Sequence, residues 1–191
     1  MSGTALIAGD KLGAVRGERV LYREVSVTAR AGEIILIRGA NGSGKTTLLR
    51  QLAGLSLPQA GRIERSGVHH WIGHTNGLKA HETPRTHLRH WARVWGSDRD
   101  ISEIVKRLNL ARPGNVPVRM LSAGQKRRTA LSRICLQDRP LWLLDEPFNA
   151  LDSDGQAQLT EMIEAHRANG GAVIAALHGA APIAADQEVS L

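Results

Sequence analysis

The octapeptide Gly39-Ala40-Asn41-Gly42-Ser43-Gly44-Lys45-Thr46 constrains this chain more than any other feature. Its spacing is G-x-x-x-x-G-K-[ST], in which glycines let the backbone curl so that successive N–H groups point inward at phosphate oxygens. The motif needs a strand before it and a helix after it. Glu33-Ile34-Ile35-Leu36-Ile37 reads as a short buried strand, and Thr46-Thr47-Leu48-Leu49 opens a helix. In that setting Lys45 is expected to reach the β- and γ-phosphates of a nucleotide and the Thr46 hydroxyl to ligate Mg²⁺, while the positive helix end adds to the phosphate field. A glycine-rich turn before a helix can be only a turn, but a full match between strand and helix outweighs that reading.

A hundred residues on, Leu141-Trp142-Leu143-Leu144 runs into Asp145-Glu146-Pro147. So apolar a strand holds two adjacent acids only where they emerge at its end, within reach of a cation and water. Asp145 is expected near the metal ion and Glu146 beside the γ-phosphate, handling a water. A strand-end pair that merely caps a turn is the competing reading, and the phosphate loop makes it the weaker one. Together the two stretches point to a chain that binds and hydrolyses ATP.

Between them lies Leu121-Ser122-Ala123-Gly124-Gln125, followed by Lys126-Arg127-Arg128-Thr129-Ala130-Leu131-Ser132-Arg133. Ser122 suits the N-cap of a helix, and a helix N-terminus is an anion site. This stretch resembles the signature sequence of the ATP-binding cassette (ABC) family. The resemblance implies an α/β P-loop NTPase core of RecA-like type with an inserted α-helical subdomain. It also implies that Ser122, Gly124 and Gln125 close on the γ-phosphate of ATP held by a second copy. Other family landmarks fall on Asn149-Ala150-Leu151-Asp152 and on His178, after the apolar run Gly171–Leu177. From residues alone His178 is a lone histidine ending a buried strand, usually a structural position; the resemblance makes it a γ-phosphate sensor.

Two positions depart from the common ABC pattern. Counting back from Thr83, the place of the usual glutamine holds His74. Near the N-terminus, the place of the usual adenine-stacking aromatic falls on Arg16, with Tyr22 the nearest aromatic in sequence. A guanidinium plane also stacks on a purine. Gly73-His74 followed by Gly77-Leu78-Lys79, the alanine in Leu-Ser-Ala-Gly-Gln, and Asp145-Glu146-Pro147-Phe148-Asn149-Ala150-Leu151-Asp152 are similar to the ATP-binding subunits of the haem exporters of cytochrome c maturation. That similarity runs from about Ala5 to Val189. It implies multi-spanning membrane subunits as partners and a peripheral position on the cytoplasmic face of the inner membrane. The sites expected to touch ATP are therefore Gly39, Ala40, Asn41, Gly42, Ser43, Gly44, Lys45, Thr46, Thr47, Ser122, Gly124, Gln125 and Arg16. Glu146, His178 and Lys45 are expected to carry catalysis, and Thr46 and Asp145 the metal.

The 191 residues suffice for one α/β domain with a sizeable core and are too few for two cassettes. The expected division is a core of about 1–74 and 138–191 with a helical subdomain of about 75–137. Met1–Ala8 lacks the pattern of a signal peptide, no apolar run approaches the ~20 residues of a membrane span, and no appended regulatory domain is expected after the His178 strand. The single Cys135 excludes an internal disulfide framework.

The formal charge is +7, with its excess in residues 75–140, which hold 14 Lys and Arg against 5 Asp and Glu. There Thr83-Pro84 starts a helix in which Leu88, Trp91, Ala92 and Trp95 form an apolar stripe and Arg85, Arg89 and Arg93 a basic row. Such a row suits an anionic membrane face, or is simply a solvated helix face. A soluble ABC ATPase acting on nucleic acid or the ribosome is the alternative function. Such proteins commonly carry two cassettes or long coiled-coil insertions, which this chain lacks, so no nucleic acid is expected. The six histidines between His69 and His90 show no zinc spacing, and Trp91 and Trp95 read as packing residues.

The expected order is N-terminal strands to about Ile37, loop and helix to Ala53, a strand near 68–73, and helices from about Pro84 to Gln137. Then come strand 141–144, helix 156–168 and strand 172–177, with Gly155 and Asn169-Gly170-Gly171 as breaks around the last helix. This alternation implies a mostly parallel sheet covered on both faces.

Overall fold

The computed structural model describes residues 4–179 and 182–191, so Met1–Gly3 of the stretch read as lacking a leader lie outside the described residues. Two compact units emerge: Met1–His74 with Arg139–Pro147 and Glu161–Leu191, and Thr75–Asp138 with Phe148–Thr160.

The first unit contains two sheets. β3 (Ile34–Arg38), β5 (His69–Ile72), β6 (Leu141–Asp145), β7 (Ala172–Ala176) and β8 (Gln187–Ser190) form a five-stranded sheet in the order β5-β6-β7-β3-β8. Every pairing in it is parallel. Its three inner strands β6, β7 and β3 are short and almost wholly apolar, as strands buried on both faces must be. One face of this sheet, with Ile35, Ile37, Leu141, Leu143, Ala172, Ile174 and Ala176, shares a core with Leu48, Leu49 and Leu52 of α1 (Lys45–Leu52). Ile7, Leu12, Tyr22 and Val27 belong to the same core. On the other face Trp142 stacks on His166 of α5 (Ser153–Ala168), ring centroids 3.9 Å apart.

The second sheet is antiparallel, in the order β2-β1-β4, from β1 (Ala5–Arg16), β2 (Arg19–Arg30) and β4 (Ala60–Arg65). Neither β4 nor β8 is expected from the sequence. β4 has only Ile63 half-buried, and β8 is a charged edge strand with only Val189 half-buried, so neither carries a periodic apolar signal. Both are fixed by partners. Arg65 at the end of β4 donates to the Leu52 and Gln51 carbonyls at the end of α1, and Asp186 ahead of β8 accepts from the Ile34 N–H at 2.8 Å.

The second unit is helical, with α2 (Pro84–Trp95), α3 (Ile101–Arg107), α4 (Ala123–Leu131) and the first half of α5. Thr83 caps α2 by accepting from the Thr86 N–H, and Pro84 takes the first turn, where a missing N–H costs nothing. Leu88 and Ala92 are buried, while Trp91 and Trp95 are half-buried against each other at 4.9 Å. The Arg133 guanidinium lies over the Trp91 ring at 5.6 Å. Arg89 and Arg93 are exposed, whereas Arg85 is partly covered and donates to Ser102 of α3. The basic row thus has two exposed members. Gly155 is no break: α5 starts at Ser153, and the Gly155 N–H donates to the Asp152 carboxylate inside the first turn.

His87, 3% exposed on α2, is held down to about 4 from 6.5, first by burial and then by the Arg133 charge, against a smaller opposing pull from Glu82. Its folded value is depressed, so the unfolded chain binds the extra proton first as pH falls. The stability present above pH 6.5 is therefore lost between about 6.5 and 4. Chemical denaturation of wild type and His87→Phe across that range should show a shallower pH dependence in the variant; identical slopes would refute the burial argument.

Candidate functional site

Three site segments leave the carboxyl ends of strands in one parallel sheet, the edge at which such sheets bind ligands. β3 feeds the Gly39–Thr46 loop, β6 ends in Asp145, and β7 precedes His178, with β7 lying between β6 and β3. The loop's tight path depends on Gly44. Its φ is 109°, and an added Cβ would stand 2.9 Å from the Tyr22 ring. No side chain caps α1, so its first amides remain available to an anion. Lys45, only 6% exposed, donates to the carbonyls of Gly39 at 2.7 Å and Ala40 at 3.0 Å, which folds its ammonium back over the loop.

Asp145 is 1% exposed and accepts from the Thr46 hydroxyl at 2.9 Å. Burial pushes its carboxyl above the usual range and the adjacent Glu146 charge adds to that, while the Thr46 hydroxyl and the His74 backbone N–H pull it back. A buried carboxylate facing a hydroxyl is a hard-oxygen pair of the kind Mg²⁺ takes, with few protein ligands and the rest from water and phosphate. The residues present therefore fit that ion. Glu146 follows with a φ of 48°, a left-handed conformation costly for a non-glycine residue, held by its N–H on the Ala176 carbonyl at 2.9 Å. His74 approaches it, Nδ1 to Oε2 at 3.3 Å.

A cavity of about 340 Å³ gathers Arg16, Arg19, Leu21, Asn41, Gly42, Gly44, Lys45, Thr46, Thr47 and Glu146. Arg16 thus lies with the loop. Arg19 and Leu21 were not singled out from sequence, and only the β1–β2 hairpin that pairs Arg16 with Arg19 brings them there. Tyr22 is not a base platform. It is 6% exposed and donates to Gln51 at 2.9 Å, and burial raises its hydroxyl's pKa. His178 is exposed, not packed in the core.

In the helical unit Ser122 and Gln125 form a reciprocal cap at the start of α4: the Ser122 hydroxyl accepts from the Gln125 N–H, and the Gln125 side chain accepts from the Ser122 N–H. Gly124 is required by space, because a Cβ there would meet the Ala150 carbonyl oxygen at 2.8 Å.

The sequence model of the ABC transporter family matches residues 22–149. The chain belongs to the ABC transporter family. It is 52% identical over 191 residues to the cytochrome c biogenesis ATP-binding export protein CcmA of Hyphomonas neptunium, covering 100% of this chain and 99% of that one. The protein of the same description from Maricaulis maris is 43% identical over 173 residues, 85% of this chain and 81% of its own. A solved ATP-binding subunit of an ABC transporter superposes with a TM-score of 0.81 at 25% identity, covering 91% of this chain and 79% of that one. The α/β core is that of a P-loop ABC ATPase, and the chain is an ATP-binding ATPase of this family.

Lys45→Ala should lower ATP affinity at least about tenfold, a loss of roughly 1.4 kcal/mol. Equilibrium titration with a fluorescent ATP analogue measures it, and unchanged affinity would remove Lys45 from the phosphate site.

Proposed function

We propose that this chain is the ATP-hydrolysing subunit of a haem exporter acting in cytochrome c maturation. The observation that carries the proposal is the full-length similarity to named cytochrome c biogenesis export proteins, joined to a chain that keeps both the phosphate loop and Asp145-Glu146. Lys45 and the Gly39–Thr46 amides hold the β- and γ-phosphates, with Ser43 and Thr47 completing the loop. Arg16, and Arg19 beside it, face the base. Thr46 and Asp145 would hold Mg²⁺, which supplies charge neutralisation on the phosphates. Glu146 accepts the proton of the attacking water or orients it, and His178 contacts the γ-phosphate. Each of these roles uses groups preset for charge that grows in the transition state.

The active unit is a pair of copies, each phosphate loop completed by the Ser122, Gly124 and Gln125 helix end of the other. The Ser122 cap takes the Gln125 N–H and leaves the Ala123 and Gly124 amides of that first turn for the anion contact. The sheet-bearing unit that carries the phosphate loop and Asp145 binds nucleotide, and the helical unit, residues 75–138 and 148–160, meets multi-spanning membrane subunits on the cytoplasmic face of the inner membrane. Among the described residues no helix is long and apolar enough to cross a membrane.

The exposed Arg89 and Arg93 separate this reading from action on nucleic acid. Tagged full-length chain drawn from detergent-solubilised membranes should bring down a multi-spanning subunit, with haem found in the complex. Arg89→Glu with Arg93→Glu should release the chain from membranes while the basal ATPase rate stays within about twofold, since neither residue lies at the phosphate loop. Unchanged membrane retention, with oligonucleotide binding that is lost in the variant and falls steeply with salt, would overturn the exporter reading.

A further inference from the structure

We infer that His74 is a positioning residue for Glu146, holding its carboxylate in the orientation that turnover requires; this rests on the proposed role of Glu146. The parallel register pairs His69 with Leu141 and Ile72 with Leu144. Continued two residues past the strand ends, it sets His74 beside Glu146. The contact follows, Nδ1 to Oε2 at 3.3 Å. An ionised carboxylate only accepts, so Nδ1 carries the hydrogen, in the neutral tautomer as well as in the imidazolium.

The same residue serves both acids, since its backbone N–H bonds the Asp145 carboxyl while its ring meets Glu146. The Glu146 backbone is already fixed by its left-handed φ of 48° and its bond to Ala176. The side-chain torsions are what remain, and the neighbouring Asp145 charge and any incoming phosphate push the carboxylate away. A donor on the opposite side opposes that push. The imidazole is 63% exposed and the carboxylate 19%. An exposed contact of this kind adds little to folding stability. Its effect falls instead on where the carboxylate points, and so on turnover and not on ATP affinity.

The experiment compares the full-length chain with His74→Phe, which keeps a ring without the donor, and His74→Asn, which returns an N–H near the Nδ1 position. Each is made in the wild-type and Glu146→Gln backgrounds, with kcat, KM and equilibrium ATP affinity measured. His74→Phe is expected to lower kcat about tenfold or more, the scale of a misplaced catalytic group, with ATP affinity within about twofold. His74→Asn should recover most of the loss. In the Glu146→Gln background, itself down by about 10², His74→Phe should cost nothing further. An unchanged kcat in His74→Phe, or the same fractional loss in both backgrounds, would overturn the role of His74 alone. Wild-type turnover in Glu146→Gln would overturn the role of Glu146 and that of His74 together.

Discussion

The Thr46 to Asp145 hydrogen bond is the contact on which the nucleotide-binding unit depends. It joins the first turn of α1 to the end of β6, two segments 99 residues apart in sequence. Asp145 is a nearly fully buried acid at the end of four apolar residues. Such a group is tolerated only when hydrogen-bonded or paired with a cation. Burial holds its pKa above the usual range against the pull of the hydroxyl, so its ionised form gains from a nearby positive charge. The parallel sheet fixes everything around it: β5 beside β6 brings His74 to Glu146, and β7 on the other side holds the Glu146 N–H through Ala176.

What the sequence made legible is what short-range chemistry dictates. The phosphate loop, the apolar strands β3, β6 and β7, the Thr83-Pro84 helix start and the Ser122 cap each state their geometry within a few residues. What stayed hidden depends on partners far along the chain. β4 and β8 have almost no apolar pattern and exist because β1 and β3 offer edges to pair with. The start of α5 is masked in the sequence by Gly155, a residue type that breaks helices, although its N–H bonds the Asp152 carboxylate inside the helix's first turn.

The same limit governs the site. Arg19 and Leu21 enter the cavity only through the antiparallel hairpin, and Tyr22, adjacent in sequence to Leu21, is turned inward to Gln51. His178 reads in sequence as the end of a buried strand, the usual mark of a core histidine, yet β7 stops at Ala176 and the His178 side chain is exposed. Nothing in the residues around His74 announces Glu146 as its neighbour, since that meeting depends on the β5–β6 register.

The most direct measurement is a structure of the Glu146→Gln chain with ATP and magnesium bound. The account predicts the β- and γ-phosphates on the loop amides with Lys45 drawn off the Gly39 and Ala40 carbonyls onto phosphate. It also predicts the ion between Thr46 and Asp145, and the purine against Arg16 and Arg19. A nucleotide bound elsewhere, with Lys45 still on those carbonyls and no ion beside Thr46 and Asp145, would contradict it.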